Sequence, residues 1–340
     1  MRNPTLHDVA RAAGVSYSTA DRVLNTRGGV AEKSVLRVQR AIEELGYQRD
    51  VHAANLSRRR VYDFRFYLPF GDHSFFSVLR DAVEAQAAAR IPDRVRIAIH
   101  DVPPLDSDAL ASELMRIETG DCDCVAIIGS DSPALTEAVE RLAELRIPVV
   151  TLISDAAPDL RALYVGINNC LAGRTAGRLT RLAHSQRNGL ILPILGRLNA
   201  RDHRDRLQGF CEVIAEKDAG MRLLPVLEVH DRPERMQELL GAALATWPGI
   251  TGIYSIGAGN RALIHILEQL GPERPFAVLH ELTPLTRTAL AGGVIDAVID
   301  QKPAEEVGLA LDAMKAIADD RPPLAAEIIP MIYLRDNLPT

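Results

Sequence analysis

Four sets of residues in this 340-residue chain have types and spacings that could do chemistry. The first is Gly257-Ala258-Gly259-Asn260-Arg261-Ala262, which fits G-x-G-x-x-A. It follows a strand pattern and opens a helix pattern, the context in which backbone N–H groups cradle a pyrophosphate. Glu281 lies near the offset at which an acid takes a ribose hydroxyl. The matching activity would be NAD(P)-dependent oxidoreduction. Against it, the motif sits late in the chain, and no Lys/Tyr or His/Asp catalytic set surrounds it. The second set is Cys122-x-Cys124, two of four cysteines with Cys170 and Cys211. No CxxC pair exists and the remaining ligands are missing, so small core or edge thiols are expected rather than a metal site. The third set is the nine histidines and 45 acids, which form no H-E-x-x-H. The chain also lacks G-x-S-x-G and a Walker loop. No catalytic residue, metal or cofactor is therefore expected. The fourth set is Tyr17, Ser18, Asp21 and Arg22, polar groups on the outward face of one short helix. Their chemistry is recognition: the planar fork of an Arg meets O6 and N7 of guanine.

The elements that must present this last set are two short helices around a tight turn. Thr5 is a good N-cap, with Asp8 three residues on to complete a capping box. Leu6, Val9, Ala10 and Ala13 recur at helical spacing. Gly14 tolerates the left-handed turn that ends the helix. Ser16 caps a second helix whose Ala20, Val23 and Leu24 face inward. A third helix is expected with Val35, Val38, Ile42 and Leu45 on one face, Gly46 as its stop and Tyr47 beneath. Such a helix-turn-helix puts its second helix into the DNA major groove, whereas an ordinary helical hairpin would do nothing of the kind.

Composition frames the rest. With 47% hydrophobic and 25% charged residues, the chain can bury a large core, and its length predicts two or three domains. Mean hydropathy is near zero. No run of about 18 apolar residues argues for a membrane span, and no apolar signal region is evident, so a cytoplasmic protein is expected. Charge is uneven. Residues 1–60 carry eleven Lys/Arg against six Asp/Glu, a net +5, which leaves 61–340 at −11 of the overall −6. A basic head on an acidic body suits a chain that meets phosphates at one end. From Val61 onward strand and helix patterns alternate. Strands are expected at Phe64–Phe70, Val95–Ile99, Val125–Ile128, Val149–Ile153 and Leu163–Ile167. A second series runs Gly189–Ile194, Leu223–Val229, Ile250–Ile256, Phe276–Leu279 and Ile295–Ile299. Helices are expected between them, for example over 76–90, 107–118 and 133–145. Two such runs imply an α/β body of two doubly wound lobes, with ligands in the cleft at strand carboxyl ends.

The run Asp8-Val9-Ala10 … Ala13-Gly14-Val15-Ser16 … Thr19 … Arg22-Val23-Leu24-Asn25 resembles the DNA-binding head of the lactose-repressor (LacI/GalR) family. It departs at Ala20-Asp21, where the family usually has Val-Ser, and an Asp would repel a phosphate that the Ser would bind. The resemblance implies a transcriptional regulator, most simply a repressor, with a head over 1–49, a hinge over 50–60 and an effector-binding and dimerisation domain over 61–340. That domain resembles the type I periplasmic-binding-protein fold. Its first lobe would span about 61–167 and 301–326, and its second about 168–300 and 327–340. The implied DNA contacts are Thr5, Ser16, Tyr17, Ser18, Thr19, Arg22 and Asn25, with Asn55 and Leu56 in the hinge. Leu56 falls where the family places an apolar wedge in the minor groove; a plain linker with a stray Leu is the alternative. No leucine heptad follows Thr340, so a homodimer on operator DNA is expected.

The resemblance also implies a sugar or sugar-like effector. Asp72-His73-Ser74-Phe75-Phe76 falls where related sugar binders place a polar residue and two aromatics, with His73 at a common Asn; Phe75 and Phe76 could equally be helix-start core. Ile153-Ser154 replaces a common Asp-Arg pair, which implies an effector with fewer hydroxyls or another pose, and Asp155 is the nearest substitute. Arg206, in Arg206-Leu207-Gln208-Gly209-Phe210, is implied to point into the cleft, where its fork suits vicinal hydroxyls, carboxylate or phosphate. The other charges of 199–210 read as a solvated helix face. Glu281 stands at a common Asp, and Gln301 at a ligand-contacting Gln by the lobe crossover. Asn168-Asn169 marks the first crossover. A transport-type sugar-binding protein is the remaining alternative, opposed by the basic head.

Overall fold

The computed structural model describes residues 4–24, 28–47, 60–71, 74–185, 188–216, 220–324 and 327–339. Asn25, Asn55, Leu56 and His73 lie outside the described residues, as does the hinge before Arg60. Contacts divide the chain into two units, Met1–Arg60 and Val61–Thr340.

In the first unit, α1 (Leu6–Ala12), α2 (Tyr17–Leu24) and α3 (Glu32–Leu45) surround a core of Val9, Ala13, Val38 and Ala41. The local chemistry explains the boundaries. Thr5 and Asp8 form the reciprocal capping box. Gly14 takes φ +62°, and the Val15 N–H returns to the Ala10 carbonyl at 3.0 Å, closing α1. The Ser16 hydroxyl accepts from the Thr19 N–H at 3.1 Å and starts α2. Ala20 is fully buried, small enough for α2 to sit against its neighbours. Leu45 departs from expectation. It is 39% exposed, so the apolar stripe of α3 ends at Ile42, and Tyr47 packs on the core after the left-handed Gly46.

The second unit holds two sheets. The first joins β1 (Tyr62–Pro69), β2 (Val95–Val102), β3 (Cys124–Ile128), β4 (Val149–Leu152) and β5 (Leu163–Val165). Their order is β2-β1-β3-β4-β5, parallel throughout. Helices α4 (Ser74–Ala89), α5 (Ser107–Leu114) and α6 (Pro133–Glu144) connect them. Asn168 caps α7 (Asn169–Ala183), which pairs with α8 (Arg201–Ile214) and carries the chain into the second sheet. That sheet contains β6 (Gly189–Leu195), β7 (Met221–Leu223), β8 (Leu227–Glu228), β9 (Ile250–Ser255), β10 (Phe276–His280), β11 (Ala297–Asp300) and β12 (Met331–Tyr333). The order is β12-β11-β10-β9-β6-β7, with β8 also on β6 and β12 antiparallel. Helices α9 (Pro233–Thr246), α10 (Asn260–Leu270) and α11 (Pro284–Ala291) connect these strands. The strand expected over Leu223–Val229 is two short pieces, because Pro225 between them has no N–H for the ladder.

After β11 the chain crosses back to α12 (Pro303–Ala318), which packs on α4 and the first sheet. A third crossing follows, where Ile328 bridges Ile167 beside the first. The α7–α8 contact is unusually close. A Cβ on Gly173 would overlap the Arg206 carbonyl, and one on Gly209 would overlap the Cys170 carbonyl. Cys124 is fully buried and Cys122 nearly so, and burial pushes the Cys122 thiol up to about 11. Among the described residues no cluster suits a metal ion, and no helix is long and apolar enough to cross a membrane.

Candidate functional site

The head presents its polar residues on α2. Tyr17 is 48% exposed, its ring 4.4 Å from that of His7. Ser18 and Arg22 are exposed, and Asp21 is half-buried. The Arg22 Nε donates to the Gly28 carbonyl at 3.3 Å, which steadies the side chain at its stem. Thr5, Ser16 and Thr19 serve the helix starts. Thr5 is bonded to Asp8, and the Ser16 and Thr19 hydroxyls lie 2.8 Å apart.

In the body, strand ends converge on a cavity of about 90 Å³ between the two sheets. Tyr67 and Pro69 of β1, Ile128 to Ser130 at the end of β3, and Ile153-Ser154 after β4 line one side. Asn199, Asp202 and His203 at the start of α8, Gly257-Ala258 after β9, and Glu281 after β10 line the other. This is the switch-point geometry of doubly wound sheets. Contacts close the mouth. The Arg197 guanidinium donates to the Leu105 carbonyl at 3.1 Å, the Asp131 N–H donates to the Asn199 carbonyl at 3.2 Å, and Arg204 meets the Asp131 carboxylate at 2.5 Å.

Four non-glycine residues lining this cavity hold left-handed backbone: Leu105 at φ +55°, Ile153 at φ +63°, Asp231 at φ +56° and Glu281 at φ +75°. For a β-branched residue that conformation is strained, and it persists where surroundings impose it. The Ile153 carbonyl is held by the Tyr164 hydroxyl at 3.0 Å and the Asn169 amide at 3.3 Å. The Glu281 carbonyl accepts from the Thr286 hydroxyl at 2.6 Å. Each turn aims a side chain or amide at the cavity.

The sequence-predicted residues separate into two layers. Phe75, Phe76, Ser154 and Glu281 line the cavity, and Phe75 also belongs to the core. Arg206, Gln301 and Asp155 do not line it, contrary to expectation. Arg206 is fully buried behind it. Its Nε donates to Asn169 Oδ1 at 2.7 Å, and its other nitrogens donate to the Ile256 carbonyl at 3.3 Å and Gln301 Oε1 at 3.2 Å. Glu281 is 3.7 Å and Asp202 4.0 Å away. Burial acts to lower the Arg206 pKa, but these carboxylates raise it overall, so it stays charged. Gln301 in turn donates to Glu281 Oε1 at 3.2 Å. Arg206 therefore ties the first crossover (Asn169) to the second (Gln301) beneath the ligand floor. Asp155 faces away, gripped by Arg161 at 2.5 and 2.9 Å and by the Thr151 hydroxyl at 2.7 Å. Asp202 and His203 are a second correction. Read as a solvated face, they are each 7% exposed and line the cavity, because the first turn of α8 points into the cleft. Asp106, Ser130 and Asp231 were missed altogether. Their signal was only their place just past strand ends.

The Gly257-Ala258-Gly259 turn has another use than a dinucleotide. The Gly259 N–H, which would face a pyrophosphate, donates to the Asp231 carboxylate at 2.8 Å. An acid already sits where the phosphates would, and like charge excludes them.

Comparison with known proteins now decides the family. One family model, bacterial regulatory proteins of the lacI family, matches residues 5–50; another, the periplasmic binding protein domain, matches 64–322. The chain belongs to the LacI family of bacterial regulatory proteins. Among its relatives, the HTH-type transcriptional regulator DegA of Bacillus subtilis is 28% identical over 229 residues, 67% of this chain and 65% of DegA. The match thus spans just under two thirds of that relative. The ribose operon repressor of Halalkalibacterium halodurans is 27% identical over 273 residues, 79% of this chain and 77% of the repressor. The structure of GanP, a glucose-galactose binding protein from Geobacillus stearothermophilus, superposes with a TM-score of 0.74 at 21% identity. It covers 83% of this chain and 100% of GanP, which establishes the shared fold of the LacI-family body.

Proposed function

We propose that this LacI-family protein is a homodimeric, operator-binding transcriptional repressor whose grip on DNA is set by a small sugar-like effector in the cavity between its lobes. One observation carries the reading: a helix-turn-helix with an exposed Tyr17-Ser18-Arg22 face shares its chain with a body whose strand ends converge on an inter-lobe cavity. The domains are the head (1–49), the hinge (50–60) and the effector and dimerisation body (61–340), with lobe boundaries as the sequence places them. Tyr17, Ser18 and Arg22 touch base edges. Thr5, Ser16, Thr19, Asn25 and Asn55 support the phosphate register, and Leu56 enters the minor groove. Its relatives include repressors of ribose and sucrose operons, which supports a carbohydrate-like effector. Effector binding changes lobe closure, which biases how two paired bodies hold their hinges.

Selection of bound duplexes from a random pool with the full-length protein tests this. The expected product is a near-palindrome of two half-sites, set by two-fold symmetry. No enrichment, or a lone asymmetric half-site, would contradict it.

A further inference from the structure

Of the four left-handed residues at the cavity, only Ile153 is β-branched, so its backbone carries the most strain. We propose that Tyr164 is the positioning residue that couples the cavity to the first crossover: its hydroxyl straps the strained Ile153 turn to Ile167 and Asn169, and the turn relaxes when the lobes part. The inference deepens the reading of the body as a two-lobed control on operator binding, and rests on it.

Three contacts meet at one oxygen. The Tyr164 hydroxyl lies 3.0 Å from the Ile153 carbonyl and 3.0 Å from the Ile167 carbonyl, so one hydrogen is shared between the cavity turn and the crossover. The same oxygen accepts from the Asn169 amide at 3.2 Å, and that amide also reaches the Ile153 carbonyl at 3.3 Å. Asn169 opens α7 in the second lobe and accepts from Arg206 at 2.7 Å. Gly166 leaves room for the strap, because a Cβ there would overlap the Tyr164 hydroxyl.

The strain gives the strap a direction. A left-handed β-branched residue persists only where its surroundings impose that backbone. Here the restraint comes from both lobes, Tyr164 from β5 and Asn169 from α7. When the lobes part, Asn169 leaves with α7 and the hold on Ile153 weakens. The same turn presents Ser154, whose hydroxyl accepts from the Asp202 N–H at 3.4 Å across the cleft. Release of Ile153 therefore also withdraws a contact between the lobes. Strain and strap oppose each other, so removing one must shift the lobes the opposite way from removing the other.

That sign is the test, on the full-length protein. Tyr164→Phe removes the strap, and Gly166→Ala displaces it. Ile153→Asn and Ile153→Gly remove the strain, since both residue types accept left-handed backbone. Ile153→Val keeps the strain and should match the parent. Two readouts are taken. One is hydrogen exchange at the Asp131 and Asp202 amides, which donate across the cleft to the Asn199 carbonyl and the Ser154 hydroxyl. The other is Kd for the selected duplex without added solute. Exchange is expected to be faster in Tyr164→Phe and Gly166→Ala, and slower in Ile153→Asn and Ile153→Gly. Duplex Kd should move in opposite directions for the two groups, by at least about threefold, the size of one net hydrogen bond. A purely structural bond would change the unfolding free energy and leave both readouts at parent values. Parent-like exchange in Tyr164→Phe, or movement of both groups in one direction, would overturn the inference. A parent protein that selects no duplex would overturn the repressor reading, and exchange would still decide the strap.

Discussion

Removing the Arg206 guanidinium would leave Asn169, Gln301 and Glu281 facing one another in a dry interior. Breaking a buried charged network from one side costs about 3–5 kcal/mol, far above a surface pair. Arg206→Ala is therefore expected to lower the unfolding free energy of the body, read from urea titration, by that order, and to weaken effector response through the floor rather than through a lost ligand contact. A variant with unchanged stability and unchanged response would contradict this. Glu306, on α12, has a different problem. It is fully buried, with the Ile167 backbone as a hydrogen-bond donor and no side-chain partner among the described residues. Burial is the largest cause that pushes its pKa well above the usual value of 4.5, Asp300 and Glu281 add to the rise, and Arg206 opposes it. The sign follows. The folded state keeps a proton that the unfolded chain releases near pH 4.5, so this group's contribution is fully present below that pH and is lost as pH rises toward the folded pKa. Glu306→Gln should remove the slope: unfolding measured from pH 5 to 8 should show the variant gaining on the parent as pH rises. At the head, Arg22→Ala is expected to cost roughly 1–3 kcal/mol at one base position and relax preference there. Titrating duplexes substituted at single positions checks this, and an equal loss on all of them would reduce Arg22 to a phosphate contact.

At the scale of elements, close helix packing and capping make the sharpest demands. Gly173→Ala would drive a methyl into the Arg206 carbonyl between α7 and α8. Overpacking of this kind costs typically 1–3 kcal/mol, and here the obstacle is backbone that cannot swing aside. Equilibrium unfolding should register it, and a neutral result would mean that the two helices separate freely. The elements themselves were legible in the sequence because local rules write them: Thr5 with Asp8, Gly14, Ser16 and Gly46 mark the helix ends, and apolar periods mark the strands. The two-layered site was only half legible. Phe75, Phe76, Ser154 and Glu281 could be placed at strand ends by pattern. That Arg206 and Gln301 lie one layer deeper follows from the crossovers meeting there, a fact of tertiary packing with no local signature. Asp202 and His203 were misread because a helix start that points into a cleft has the same composition as one that points to water. The positive φ of Ile153 had no residue-type cue at all.

For the molecule as a whole, one buried network in the body joins the first two crossovers and lies beside the third. Asn169 stands at the first crossover, Gln301 at the second, and Ile167 with Ile328 beside the third. Glu281 joins that network to the cavity. A ligand that changes how Asp202 and Glu281 are satisfied therefore acts on the groups that tie the crossovers together, and needs no long relay. Coupling of this kind is typically worth 1–3 kcal/mol, or about 5–150-fold in affinity. The most direct measurement is fluorescence anisotropy of the selected duplex titrated with full-length protein, with and without a saturating solute already shown to raise the thermal midpoint. The account predicts that the solute changes operator Kd by at least about fivefold while Arg22→Ala weakens binding in both conditions. An operator Kd that stays the same when the cavity is filled would contradict it.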